Sequence, residues 1–124
     1  SNLIDQISVN YPGRHAVNWT YDSGTNLYSR YRNSSAEIDK DNGQTVKAGV
    51  VIVMNTTSKF LKEQYISVEV LGEGVTQIYQ NGSVVNGKWE KDAAELDSKL
   101  YFYDDSGKEI KFAPGKIWVE IVTQ

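Results

Sequence analysis

One histidine, His15 in the stretch YPGRHAV, is the chain's whole supply of imidazole, and there is no cysteine. A lone histidine without thiols cannot build a multi-histidine or thiolate metal site, and the chain offers no thiol nucleophile. A Ser-His-Asp triad would need His15 to meet a serine in space, and no G-x-S-x-G elbow marks one. His15 therefore reads as an exposed turn residue. The segment DKDNGQT, Asp39 to Thr45, has the alternating oxygens of a calcium loop at Asp39 and Asp41. Its glycine, Gly43, comes one place early, and the twelfth position is Val50 rather than an acid. A DNG hairpin turn explains it better, and no metal is expected. Asp104-Asp105 likewise reads as turn chemistry. Glycosidic hydrolysis needs two carboxylates at a set separation, and nothing among 16 acidic residues selects a pair. The glycines of Gly72-Glu73-Gly74 lie between strand-like segments and not before a helix, so they lack a dinucleotide fingerprint's context. They read as a bulge or tight bend. No cofactor is expected.

Recognition chemistry is better supplied. Trp19 and Tyr21, Tyr28 and Arg30, and Trp89 are the candidate binding residues. Their aromatic faces could stack on a ligand, and the planar fork of Arg30 could hold a carboxylate. The competing reading makes the same residues core and strand register. In LYSRYRNSSAEID a loop centred on Ser34-Ser35 sets Arg30 opposite Asp39 and Arg32 opposite Glu37, with Tyr31 facing Ile38. Such cross-strand pairs fix register more than they stabilise.

The elements that would position these residues are strands almost throughout. AVNWTYD, LYSRYR and YISVEVL alternate, and VTQIY, LYFY and KIWVEIV follow. Val50 to Met54 is apolar without a break, as in a central strand covered on both faces. In YQNGSVVNGKWEK the pair Asn81-Gly82 predicts a two-residue type I′ turn, which sets Tyr79 opposite Val84 and Ile78 opposite Val85. Asn86-Gly87 cannot be a second such turn so soon. A bulge at Gly87 that re-aims Trp89 is expected instead. Gly107 and Pro114-Gly115 mark two further turns. In the last strand Ile117, Val119 and Ile121 form the apolar face, while Trp118 and Glu120 lie on the outer one. An aromatic beside a carboxylate there suits a sugar or peptide platform, or a Trp packed under a loop. Only KDAAELDSKL and TTSKFLKEQ have the composition for a short helix. The fold class is all-β and mainly antiparallel, a sandwich or partly open barrel.

At 124 residues the chain has the length of one domain, able to fold without staples. Its net charge of −3 and lack of a basic stripe argue against nucleic acid. No apolar run reaches the roughly 18–20 residues of a membrane helix. Ser1-Asn2 reads as a remnant of tag cleavage, leaving residues 3–124 as the domain.

Several stretches together resemble the C-terminal domain of the YerB-like family, bacterial lipoproteins of unknown function. The resemblance rests on WTYD (Trp19 to Asp22), YSR (Tyr28 to Arg30), Asp39 before the turn at Gly43, and VVIV (Val50 to Val53). It continues through GEG (Gly72 to Gly74), NGSVVNGKWEK and FYDDSGKEIKFAPGKIWVEIV. It departs from the family where a histidine would precede the Asp of the second strand by two residues, because Glu37 stands there, and where Val50 opens the VIV strand. No histidine-dependent activity is therefore carried over. The resemblance implies an extracytoplasmic protein, anchored through a lipid on an N-terminal cysteine, with an N-terminal domain ahead of this one. It implies no activity.

The expectation is a non-catalytic binding or interaction module at the bacterial cell envelope. Its partners would be its own N-terminal domain and cell-wall glycan, peptide or an envelope protein. The alternative is one wall of a hydrolase active site on a cell-wall or glycan substrate, shared with the N-terminal domain, with Asp22 or Asp39 as the acid.

Overall fold

The computed structural model describes residues 3–11, 16–56, 61–63, 68–70, 72–91 and 100–123. His15 lies outside them, as does nearly all of KDAAELDSKL and most of TTSKFLKEQ. Of the latter, Leu61–Glu63 is a strand. Two sheets carry the fold. The first contains β1 (Gln6–Val9), β2 (Val17–Asp22), β3 (Leu27–Arg32) and β4 (Ser35–Ala36) in that order, with β5 (Lys47–Ala48) also paired to β3. β6 (Val50–Thr56) belongs to the second. A separate antiparallel pair joins β7 (Leu61–Glu63) to β8 (Val68–Val70). The second sheet is completed by β9 (Gly72–Gln80), β10 (Ser83–Lys91), β11 (Leu100–Asp104) and β12 (Ile117–Thr123), in the order β11-β10-β9-β6-β12. Among the described residues every strand pairing is antiparallel except β12 on β6. The sheets do not close into a barrel, so of the two expected all-β architectures, sandwich or partly open barrel, the sandwich is the one formed.

β6 explains the layering. Its residues Val50 to Met54 are buried on both faces. Val51 and Val53 join Ile7, Val17, Trp19 and Tyr28 in a core between the sheets. Val50, Ile52 and Met54 join Ile78, Trp89 and Phe102 in a second core on the opposite face. The segment after β11 covers part of that face with Ile110 and Ala113. Gln80 pins it there: its side-chain amide donates to the Lys111 carbonyl at 3.1 Å and accepts from the Ala113 N–H at 2.7 Å.

The Asn81-Gly82 turn forms as expected, with φ of 54° and 74°, and sets Val84 on Tyr79 and Val85 on Ile78. The register then runs unbroken to Lys91 opposite Gly72, so Gly87 is not a bulge and Gly72 to Gly74 is not a bend in the pairing. The glycines answer to close approach instead. A Cβ on Gly87 would lie 1.8 Å from the Tyr103 carbonyl oxygen. A Cβ on Gly74 would lie 2.6 Å from the indole nitrogen of Trp89, its cross-strand partner. Trp89, which stands among lysines in the sequence, fills that vacancy and is fully buried.

The β3–β4 turn sits on Asn33-Ser34, one residue before the predicted centre, with φ of 50° and 68°. Arg32 therefore faces Ser35 and Tyr31 faces Ala36, not Ile38. The shift is by an even number in pairing register, so every side chain keeps its face. Asn tolerates left-handed backbone, but Ser34 does so at a cost of about 1–2 kcal/mol. Glycine would remove that cost while adding about 0.5–1 kcal/mol of chain entropy. Ser34→Gly is thus expected to stabilise the protein by roughly 0.5 kcal/mol, read as a higher urea midpoint at unchanged slope.

Candidate functional site

Arg30 stands beside Trp19 across β2–β3, on the face turned toward the second sheet. Glu120 reaches it from β12. The expected facing of β12 is inverted: Ile117 and Val119 are 47% and 38% exposed, whereas Glu120 is 2% exposed and Val122 lies in the inter-sheet core. Trp118 packs against the same core. The physical reason is Arg30. A guanidinium between two sheets needs a carboxylate there, and the strand turns its acid inward to supply one.

Glu120 accepts four donors. The Arg30 fork gives Nε at 2.8 Å and Nη2 at 3.2 Å. Trp19 gives Nε1 at 2.9 Å, and the Tyr11 hydroxyl completes the set. The remaining guanidinium nitrogen, Nη1, donates to Glu37, which Arg32 also approaches at 3.5 Å. Arg30 is therefore paired with Glu120 and Glu37, not with Asp39. The two-residue shift in register brings Glu37 alongside, its N–H donating to the Arg30 carbonyl at 2.9 Å. Asp39 serves its own turn, accepting the Asp41 N–H at 2.8 Å. Asp22 does the same for Gly24, also at 2.8 Å. Asp104 caps a third turn, where hydrogen bonds from Ser106 and Lys108 hold its carboxyl below the ordinary range.

Burial pushes the Glu120 carboxyl up, but the hydrogen bonds from Arg30, Tyr11 and Trp19 and the guanidinium charge outweigh it and hold the group below its ordinary value. Burial and the Glu120 carboxylate push the Tyr11 phenol well above its own. A carboxylate held ionised with four donors on it is no proton donor, and its lone pairs are too engaged for it to serve as a base. The cluster is an anchor between the sheets.

The candidate binding residues do not form one patch. Trp19, Tyr28 and Arg30 belong to the inter-sheet layer, and Trp89 to the core behind the second sheet. Tyr21, half-buried, lies on Tyr28 at 4.8 Å between ring centroids. Trp19, Tyr28 and Trp89 have no exposed ring face for a ligand. Trp19 and Arg30 instead back a neighbouring feature. Trp118 stacks on the Arg30 guanidinium, 5.0 Å from its ring centroid, and meets Trp19 edge-on at 5.6 Å. Its outer side lines a cleft of about 510 Å³, where the edge strand β5 and the start of β12 come together. Lys47, Lys116, Asp39, Asn42 and Gln44 surround it. Gly49 sits at its base because a Cβ there would strike the Pro114 carbonyl oxygen at 2.6 Å. Lys47 and Lys116 escaped the sequence reading, since nothing in the sequence brings residues so far apart together. Trp118 was visible as an aromatic beside a carboxylate, but on the wrong side of its strand.

The profile of the family described as "Protein of unknown function (DUF3048) C-terminal domain" matches residues 7–119. The chain is 24% identical over 128 residues to a protein of Bacillus subtilis (strain 168) named "Putative lipoprotein YerB", covering 98% of this chain. It spans 37% of that relative's length. Its fold is shared with the crystal structure of the YerB protein from Bacillus subtilis, at a TM-score of 0.69 and 20% identity, over 94% of this chain and 39% of that one. Among the described residues no helix is long and apolar enough to cross a membrane.

Proposed function

The chain belongs to the DUF3048 C-terminal domain family, and on that premise we propose that it is a non-catalytic binding module of a lipoprotein at the outer face of a bacterial membrane. Its ligand is cell-wall material, held in the cleft against Trp118. The observation that carries this reading is the preorganised aromatic wall. Trp118 is clamped from behind by Arg30, itself fixed by Glu120 and Glu37, so the indole loses little freedom when a ligand arrives. The cleft has the size of small-molecule sites, about 300–1,000 Å³. Asp22 and Asp39, the carboxylates an active-site wall would use, are engaged by their own turns, which favours binding over hydrolysis.

The test is cosedimentation with purified peptidoglycan. Saturable binding is expected, and Trp118→Ala is expected to weaken it at least about tenfold, or about 1.4 kcal/mol. Circular dichroism and the urea midpoint of the variant show whether the fold is retained. Unchanged binding by a folded Trp118→Ala would remove the cleft from the proposal. No saturable binding by the parent chain would sink wall recognition altogether.

A further inference from the structure

We propose that the cleft beside Trp118 selects an acidic saccharide, with Lys47 and Lys116 holding its anionic group; this rests on the binding reading above and names its ligand class. Two lysines line the one cleft from different sheets, Lys47 on β5 and Lys116 just ahead of β12. Neither makes an ion pair among the described residues. The one carboxylate lining the cleft, Asp39, makes its hydrogen bond to its own turn and no ion pair to either lysine. In a chain of net charge −3, a rim with two lysines against one aspartate carries net positive charge, a local reversal of sign. It matches a carboxylate or phosphate through charge-assisted hydrogen bonds.

The rest of the cleft argues for a sugar as the carrier of that anion. A pyranose presents a face of C–H bonds, suited to an indole, and a rim of hydroxyls, suited to amides. Trp118 supplies the first. Asn42 and Gln44 supply the second: the Asn42 side-chain oxygen accepts the Gln44 backbone N–H at 2.8 Å, and the exposed Asn42 side chain keeps its amide nitrogen as a donor. A cationic ligand is disfavoured by both lysines and by the guanidinium already stacked on the buried side of Trp118. A wholly apolar ligand would strip water from the polar side chains of the rim and return nothing.

Calorimetric titration of this chain with two disaccharides of similar size decides it: digalacturonate, which carries carboxylates, and chitobiose, which is neutral. Inorganic phosphate serves as the bare-anion probe. Digalacturonate is expected to bind at least about tenfold tighter than chitobiose, with the gap shrinking at about 0.5 M NaCl. Phosphate alone is expected to bind weakly, because it leaves Trp118 uncovered. Lys47→Ala and Lys116→Ala are each expected to weaken digalacturonate about three- to tenfold and to leave chitobiose unchanged. Both lysines are exposed, so these variants keep the fold. Equal affinity for the two sugars, or lysine variants that bind digalacturonate as the parent does, would overturn the acidic assignment while leaving the cleft a binding site. Phosphate binding as tight as digalacturonate would overturn the saccharide part. Failure of both disaccharides together with failure to sediment with peptidoglycan would overturn the binding reading as well.

Discussion

Glu120→Gln is expected to destabilise the protein by about 3–5 kcal/mol, a large part of the total stability of a domain this size. Glutamine keeps the volume and removes the charge. The Arg30 fork, buried between the sheets, then faces a neutral amide, and one end of that amide presents N–H groups to donors. Most of the loss is the exposed cost of a buried cation, not the worth of the pair itself. A second variant separates the two. Arg30→Met combined with Glu120→Gln removes both charges and leaves Glu37 to Arg32; the amide oxygen can accept from Trp19, and the Tyr11 hydroxyl can turn to accept from the amide nitrogen. It is expected to be at least about 1 kcal/mol more stable than Glu120→Gln alone. Urea unfolding at pH 7 measures both. A double variant that loses the sum of the two single losses would show that Arg30 and Glu120 are not coupled.

The same residue sets the acid limb of stability. Its folded carboxyl lies below the ordinary value of 4.5, so the unfolded chain binds the proton more readily. The contribution of Glu120 is complete above pH 4.5 and is lost as pH falls through the lower folded value. A urea-midpoint series on acidification should fall less steeply in Glu120→Gln than in the parent. Parallel curves would place the acid sensitivity elsewhere, with Asp104 the next group held below its ordinary range.

Trp89→Ala is expected to cost about 3–5 kcal/mol. The indole is fully buried behind the second sheet, lies opposite Gly74, and donates to the Asn55 carbonyl at 3.0 Å. Because Gly74 has no side chain to move into the gap, the cavity is poorly filled by relaxation. Trp89→Phe keeps most of the ring and should lose less, about 1–3 kcal/mol. A loss under about 1 kcal/mol for Trp89→Ala would mean that the ring faces water.

Much of the fold was legible because strand period and turn chemistry are local. The breakless run Val50 to Met54 announced a strand with two covered faces, and Asn81-Gly82 set its hairpin to the residue. The Asn33-Ser34 turn was misplaced by one residue because serine gives no sign that it will take positive φ. Gly74 and Gly87 were misread for another reason: a glycine that makes room for a neighbour looks, in sequence, like one that bends its own strand. The site was less legible. Glu120 is the one acid within the apolar strand IWVEIV, and Arg30 sits in a strand that faces the core. That match of unlike charges was available as a signal, but alternation placed Ile117 and Val119 inward, where the requirement to neutralise Arg30 puts Glu120. Of the residues singled out for binding, Trp19 and Arg30 back Trp118, and the cleft that Trp118 lines with Lys47 and Lys116 is assembled only by the sheet order.

Among the described residues β12 alone pairs in parallel, and its carboxylate meets an arginine 90 residues earlier. Such long-range contacts must be closed against chain entropy before they reward folding, so the β12 pairing is expected to form late and to set the folding rate. A chain cut short before Glu120 would hold Arg30 between sheets with only Glu37 to neutralise it, and would be poorly stable whatever its other strands had achieved. The core of this domain is thereby sealed by the strand that docks last: Arg30 gains its buried carboxylate only when β12 has paired with β6.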